Sequence, residues 1–140
     1  MIFEADFMYK SISVIDVLQI TVGATKNSPL LGLFRPAGKT DGSVVKNQTS
    51  SGTETCETSA TVGEWFHLRI EYRVTEAAED GTPTAIEVKY IINDDAPIVS
   101  TTIYKAAPKI SDVQYLVFGI NNRNLGEYYI DNTSLRLVCE

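Results

Sequence analysis

Hydrophobic and polar residues alternate with a period of two along much of this chain, as in β-strands that bury one face. The clearest alternation covers residues 65–74, WFHLRIEYRV. Its apolar positions are Phe66, Leu68, Ile70, Tyr72 and Val74, and its other positions are Trp65, His67, Arg69, Glu71 and Arg73. A similar pattern near the start sets Phe3, Ala5, Phe7 and Tyr9 against Glu4, Asp6, Met8 and Lys10. Both segments are predicted to be strands with one side in a core.

Shorter strand signals follow this pattern along the rest of the chain. They cover residues 17–24, 30–35, 86–92, 97–104, 114–120 and 127–138. Residues 37–63 are rich in Gly, Ser and Thr, so we expect mostly loop there, around a short strand at Val44 and Val45. No segment of normal helix length has helical periodicity. The pattern therefore predicts an all-β, antiparallel sandwich or barrel of about eight to ten strands.

Chain length and composition predict a single globular domain over residues 1–140. Apolar residues are 44% and charged residues 21% of the chain, which is ordinary globular usage and argues against disorder. The chain starts directly in a strand pattern without a signal-peptide pattern, so we expect a domain cut from a larger, multidomain protein. No apolar run approaches the roughly 18 residues of a membrane-spanning helix.

The charge pattern excludes some classes of partner. The formal net charge is −6, and the Lys and Arg residues are scattered as single residues. Nucleic acids and anionic membranes are bound through clustered positive charge. We therefore predict no nucleic-acid partner and no membrane insertion.

The two cysteines, Cys56 and Cys139, fit no zinc-binding spacing. They could form one disulfide if the fold brings them together, or both could be free thiols. Sequence separation does not decide between these, because a disulfide depends on the distance between the Cα atoms.

Three motifs, taken in order, resemble a known family. They are FEADF (3–7), GEWFHLRIEY (63–72) followed by IEVKYIINDDAPI (86–98), and YYIDNTSL (128–135). Together they resemble the laminin-G-like branch of the concanavalin A-like jelly rolls, found in bacterial cell-surface and carbohydrate-active proteins. The resemblance implies an antiparallel β-sandwich of jelly-roll type in an extracellular or cell-surface protein, with a glycan or a surface protein as partner.

Glu4 and Asp6 form the first candidate site, and three interpretations compete for it. Some jelly-roll glucanases carry Glu-x-Asp-x-x-Glu on one strand, but here Tyr9 stands where the second glutamate would be. Retaining glycoside hydrolysis needs two carboxyl groups, one with a raised pKa. We therefore predict no catalytic residue. The pair is either the polar side of an opening strand or part of a calcium site.

Asp131 is the second candidate, because the alternation places it on one face with Leu135 and Leu137. A buried carboxylate needs hydrogen bonds, an ion pair or a cation. The resemblance suggests a structural calcium held by Asp131 with Glu4 or Asp6, since the first and last strands of jelly rolls are often neighbours. A β-bulge at Asp131 and Asn132 would reverse the faces and place Ile130 inward.

Trp65, His67, Arg69 and Glu71 form the third candidate, a ligand-binding surface. An aromatic ring beside polar side chains suits a sugar, which stacks on the ring and hydrogen-bonds the polar groups. Alternatively, Trp65 merely covers one end of the sandwich. Our first expectation is a non-catalytic, lectin-like carbohydrate-binding module. A structural or adhesive domain that mediates protein contacts is the alternative, and a glycan-cleaving enzyme is third.

Overall fold

The computed structural model describes residues 1–11, 18–23, 33–36, 43–49, 52–61, 63–100, 115–120 and 127–138, with side chains at 1–8, 58–61, 63–99 and 129–138. These residues form ten β-strands, and they include no helix. The strands are β1 (Ile2–Ser11), β2 (Leu18–Gly23), β3 (Leu33–Pro36), β4 (Ser43–Thr49), β5 (Gly52–Glu57), β6 (Trp65–Ala77), β7 (Pro83–Ile92), β8 (Ile98–Ser100), β9 (Tyr115–Ile120) and β10 (Glu127–Arg136). The predicted all-β class is confirmed.

The strands form two sheets of five strands each. Sheet I has the order β10-β1-β6-β7-β8, and sheet II has the order β5-β4-β3-β2-β9. Every strand pair is antiparallel, as predicted. The first and last strands are neighbours in sheet I, which brings FEADF beside YYIDNTSL.

One strand was not predicted. We expected mostly loop over residues 37–63, but β4 and β5 pair as a hairpin whose last register pair is Thr49 with Gly52. The two strands are largely polar and show little alternation of apolar residues, which is why the pattern missed β5. Threonine, which recurs in this hairpin, nevertheless has high strand propensity.

Among the described residues, the core is built on one face of sheet I. Phe3, Ala5 and Phe7 of β1 are 0% exposed. The face continues through β6 and β7 with Phe66, Leu68, Ile70, Tyr72, Ile86, Val88, Tyr90 and Ile92, all buried. Phe7 and Phe66 lie opposite each other in the register, and their rings stack with centroids 5.9 Å apart. The two faces predicted for residues 65–74 are therefore confirmed.

The turn between β7 and β8 is hydrogen-bonded to β6 and to the segment before β6. Asn93 has a left-handed backbone, with φ of 49°. Its backbone N–H donates to the His67 carbonyl, and its side-chain Oδ1 accepts from the His67 N–H, each at a distance of 2.8–2.9 Å. Asn93 Nδ2 donates to Ser59 Oγ, and the Ser59 N–H donates to Asp95. The turn thus continues the β6–β7 pairing as far as His67.

A β-bulge in β10 changes the expected orientation of Asp131. Asp6 pairs with Asp131 and Glu4 pairs with Ser134, so β10 has one more residue than β1 between these pairs. Asn132 has φ of 50°, a left-handed conformation that asparagine tolerates better than most residues. Asp131 is consequently exposed, and Ile130 packs against the core. The inward orientation was wrong, and the alternative with a bulge describes the structure.

The end of β10 also departs from the expectation. Leu135 and Leu137, which were expected to mark a core face, are both exposed. β10 is an edge strand of sheet I, so its side chains have a neighbouring strand on one side only. Cys139 lies outside the described residues, so the choice between a disulfide and two free thiols stays open. Residues 101–104 of the predicted strand 97–104 also lie outside them.

Candidate functional site on the outer face of sheet I

The face of sheet I opposite the core, here called the outer face, carries most of the predicted site residues in rows that cross three strands. Each row contains one residue of β6, one of β1 and one of β10. The register gives the apolar row as Trp65, Met8 and Tyr129; the Asp6 row as His67, Asp6 and Asp131; and the Glu4 row as Arg69, Glu4 and Ser134. Three strands that are distant in the sequence thus bring their polar sides together.

The apolar row presents two aromatic side chains to solvent. Trp65 is 51% exposed and Tyr129 is 39% exposed, and the half-buried Met8 lies between them. Neighbouring strands lie about 4.8 Å apart, so the two aromatic residues are roughly 10 Å apart across the strands. An exposed ring face can stack on an apolar ligand surface.

Asp6 is the centre of a hydrogen-bond network in the second row. Its Oδ1 lies 2.7 Å from His67 Nδ1, and its Oδ2 accepts from Asn132 Nδ2 at 2.6 Å. The hydrogen bonds from Asn132 and then from His67 hold the pKa of the Asp6 carboxyl below its ordinary value. Asp6 is therefore ionised at neutral pH.

Asn132 also offsets the repulsion between two carboxylates that face each other. Asp6 and Asp131 lie directly opposite each other, and like charges in such a pair are destabilising. The Asn132 backbone N–H donates to Asp131 Oδ1 at 2.8 Å, while its side-chain amide donates to Asp6. The left-handed bulge residue thus supplies a donor to each of the two carboxylates.

Glu4 is held between two arginines. Arg69 Nη1 donates to Glu4 Oε1 at 3.2 Å, and Arg136 Nη2 donates to Glu4 Oε2. Arg69 also binds Glu71, with Nε 2.8 Å from Oε1. The bond to Glu71 and the charges of Glu71 and Glu4 hold the pKa of Arg69 above its ordinary value. His67 Nε2 is 4.0 Å from Glu4 Oε1, which is too long for a hydrogen bond.

The structure brings all the candidate residues predicted from the sequence onto this face: Trp65, His67, Arg69, Glu71, Glu4, Asp6 and Asp131. Met8, Tyr129, Asn132 and Arg136 also belong to this face, and none of them was predicted as a site residue. Met8 could have been found from the alternation in β1, because it shares the face of Glu4 and Asp6. The contacts of Asn132 with Asp6 and of Arg136 with Glu4 depend on the bulge and on the β1–β10 register. The alternation of residues within one strand does not encode that register.

The predicted calcium ligands are close together but engaged by other groups. Both carboxylate oxygens of Asp6 and both of Glu4 receive hydrogen bonds from protein donors. Within the described ranges, no group of three His, Cys, Asp or Glu side chains has an arrangement that could hold a metal ion. This arrangement does not fit a calcium site without displacement of those donors, and the calcium site stays a prediction.

Comparison with known proteins adds no further assignment. No family model, no curated protein and no solved structure matches this chain. None of the described residues belongs to a helix that could cross a membrane.

Proposed function

We propose that this chain is a non-catalytic, lectin-like carbohydrate-binding module of a secreted or cell-surface protein, and that the outer face of sheet I binds the sugar. The observation that carries the proposal is the apolar row, with Trp65 and Tyr129 exposed beside the Asp6 row. A pyranose has an apolar face and hydroxyl groups around its edge. It can therefore stack on an aromatic ring while neighbouring polar side chains hydrogen-bond its hydroxyls.

We also propose that sheet II packs on the inner face of sheet I to complete a jelly-roll sandwich. A sheet buries one face only against a second layer. Phe3 and Phe7 are 0% exposed, and a second layer over the inner face would account for this burial. The resemblance of the three sequence motifs to laminin-G-like jelly rolls supports the same arrangement.

The electrostatics of the acid pair support a non-catalytic role. A glycosidase acid needs a raised pKa so that it still carries a proton near neutral pH. The pKa of Asp6 is lowered instead, and Glu4 is bound by two arginines. Glycan cleavage therefore remains the third candidate.

A glycan array probed with the purified chain tests the proposal. We expect binding to a defined set of glycans, and we expect Trp65→Ala to weaken it about tenfold or more because stacking on the indole is lost. Leu137→Ala is the matched control, since Leu137 is 65% exposed and lies outside the three rows. An array without binding, both with calcium and with chelator, would reject the carbohydrate function.

The calcium prediction has its own test. A cation that binds the folded chain and not the unfolded chain raises the melting temperature. If Asp131, Glu4 and Asp6 form the predicted site after displacement of their donors, added calcium raises the melting temperature and Asp131→Asn removes that increase. An unchanged melting temperature with calcium and with chelator would reject the site.

An adhesive domain that mediates protein contacts is the second candidate. It is favoured by the exposed apolar side chains of Leu135, Leu137 and Val138 at the end of an edge strand. Exposed apolar clusters and open strand edges are common features of protein-binding surfaces. A negative array would favour this candidate, whereas binding that depends on Trp65 would favour the first.

A further inference from the structure

We infer that the ligand is an uncharged oligosaccharide that lies across β6, β1 and β10 along the apolar row. The inference rests on the proposed carbohydrate function and adds the ligand's length, direction and charge. It is carried by the geometry of the row and by the charges next to it.

The direction follows from the strand register. Trp65, Met8 and Tyr129 lie opposite one another on three adjacent strands, so the apolar row runs perpendicular to the strands. The two exposed aromatic residues are two strand spacings apart, roughly 10 Å, which is more than one sugar ring covers. A ligand that contacts both is therefore a chain of several sugar units.

The polar groups of the Asp6 row lie alongside the apolar row. The Asp6 row is two residues along each strand from the apolar row, about 6.5–7 Å away, and runs parallel to it. A chain stacked on the apolar row presents its edge hydroxyls to His67, Asp6 and Asn132. The Asp6 carboxylate uses one acceptor site on each oxygen for protein donors, and an ionised carboxylate offers about four such sites. It thus has acceptor capacity for a sugar hydroxyl.

The charges select against an acidic ligand. The ionised groups of the Asp6 network and the Glu4 network are the carboxylates of Glu4, Asp6, Glu71 and Asp131 and the guanidinium groups of Arg69 and Arg136. Counted with the histidine as neutral, four negative and two positive charges give these two networks a formal net charge of −2. Both arginines already bind carboxylates of the chain. A uronate or a sulfate beside these two networks would therefore meet excess negative charge, and the two arginines within them are already paired with carboxylates.

Calorimetric titration of the full chain with oligosaccharide ladders tests the inference. The uncharged probes are cello-, xylo-, manno- and malto-oligosaccharides from monosaccharide to hexasaccharide, and oligogalacturonates of the same lengths are the acidic comparison. For an uncharged series we expect affinity to rise steeply from the monosaccharide to about the trisaccharide and then to level off. We expect the acidic series to bind at least about tenfold more weakly at low salt, equivalent to about 1.4 kcal/mol.

Variants at the two ends of the row test the direction. We expect Trp65→Ala and Tyr129→Ala each to weaken binding of the longer uncharged oligosaccharides about tenfold or more. Trp65→Phe and Tyr129→Phe retain a ring and should recover most of the affinity. They also separate lost stacking from a folding defect. Leu137→Ala should leave the affinity unchanged.

Each outcome decides something different. Tighter binding of the oligogalacturonates would overturn the uncharged assignment and leave the carbohydrate function standing. A monosaccharide that binds as tightly as a hexasaccharide, or a Tyr129→Ala variant with full affinity, would overturn the placement along the row. No heat of binding with any sugar, together with an empty array, would reject the carbohydrate function itself.

Discussion

At the scale of single residues, the environment of each titratable group decides what it contributes. Asp6 and Tyr72 lie on opposite faces of sheet I and illustrate the two directions of a pKa shift. Hydrogen bonds favour the charged form of Asp6, whereas burial favours the neutral form of Tyr72. Both shifts predict how the free energy of unfolding depends on pH.

We expect Asp6→Asn to lower the free energy of unfolding at neutral pH, because the folded chain favours the ionised Asp6. The folded pKa is below the ordinary value of 3.8, so this contribution is present above pH 3.8 and is lost as the pH falls through the folded pKa. Urea unfolding of both proteins from neutral pH to pH 3 should show the difference between them shrinking below pH 3.8. Glu76→Gln, at an exposed position of β6, is the control. A difference that stays constant with pH would contradict the role of Asp6.

Tyr72→Phe tests the buried hydroxyl on the inner face. Burial raises the pKa of Tyr72 to about 12, and its hydroxyl has no hydrogen-bond partner among the described residues. The unfolded chain ionises this tyrosine from pH 10.0 upward, so its contribution to stability is present below pH 10.0 and is lost as the pH rises to about 12. At pH 7 we expect Tyr72→Phe to leave the free energy of unfolding unchanged or to raise it. Above pH 10 we expect the variant to unfold less readily than the parent protein, because phenylalanine does not ionise. A strongly destabilised variant at pH 7 would show that the hydroxyl is satisfied.

At the scale of elements, the bulge in β10 determines the composition of the site. On one side of the bulge, Asp131 lies opposite Asp6 and Ile130 lies opposite Phe7. On the other side, Ser134 lies opposite Glu4, and the extra residue in β10 makes both sets of pairs possible. The bulge depends on a left-handed residue, and here that residue is Asn132. Its conformation and its amide group therefore have separable effects.

Two substitutions at Asn132 separate those effects. Asn132→Gly retains an easy left-handed backbone and loses the amide donor to Asp6, which we expect to cost about 0.5–1.5 kcal/mol. Asn132→Ala loses the donor and also strains the backbone, so it should cost about 1–2 kcal/mol more. Chemical unfolding measures both. Equal stabilities of the two variants would contradict a left-handed bulge at this position.

At the scale of the whole molecule, stability depends on the inner face of sheet I. Leu68 lies in the centre of that face and is 0% exposed. We expect Leu68→Ala to lower the free energy of unfolding by about 2–5 kcal/mol, because it removes buried methyl groups and leaves a cavity. That is a large part of the roughly 5–15 kcal/mol that stabilises a typical domain. Val99→Ala, at an exposed position of β8, is the control and should change the free energy of unfolding by less than about 0.5 kcal/mol. A loss as large as that of Leu68→Ala would contradict a core on this face.

Local pattern was sufficient for much of the fold. The alternation in residues 3–10 and 65–74 predicted two strands and assigned each described side chain of these strands to its face. It could do so because successive side chains of a strand point to opposite sides, so the pattern records burial directly. It failed at β5, where most residues are polar and apolar and polar positions do not alternate.

The sequence by itself determined the all-β class, the strands of sheet I and the outward position of Glu4, Asp6, Trp65 and His67. Only the tertiary structure decided which strands are neighbours, and hence that Met8 and Tyr129 extend the row of Trp65 and that Arg136 binds Glu4. Only the tertiary structure also placed the bulge that turns Asp131 outward. The physical reason is that strand periodicity is a local property of the chain, whereas pairing and bulges are chosen by hydrogen bonds and packing between segments distant in sequence.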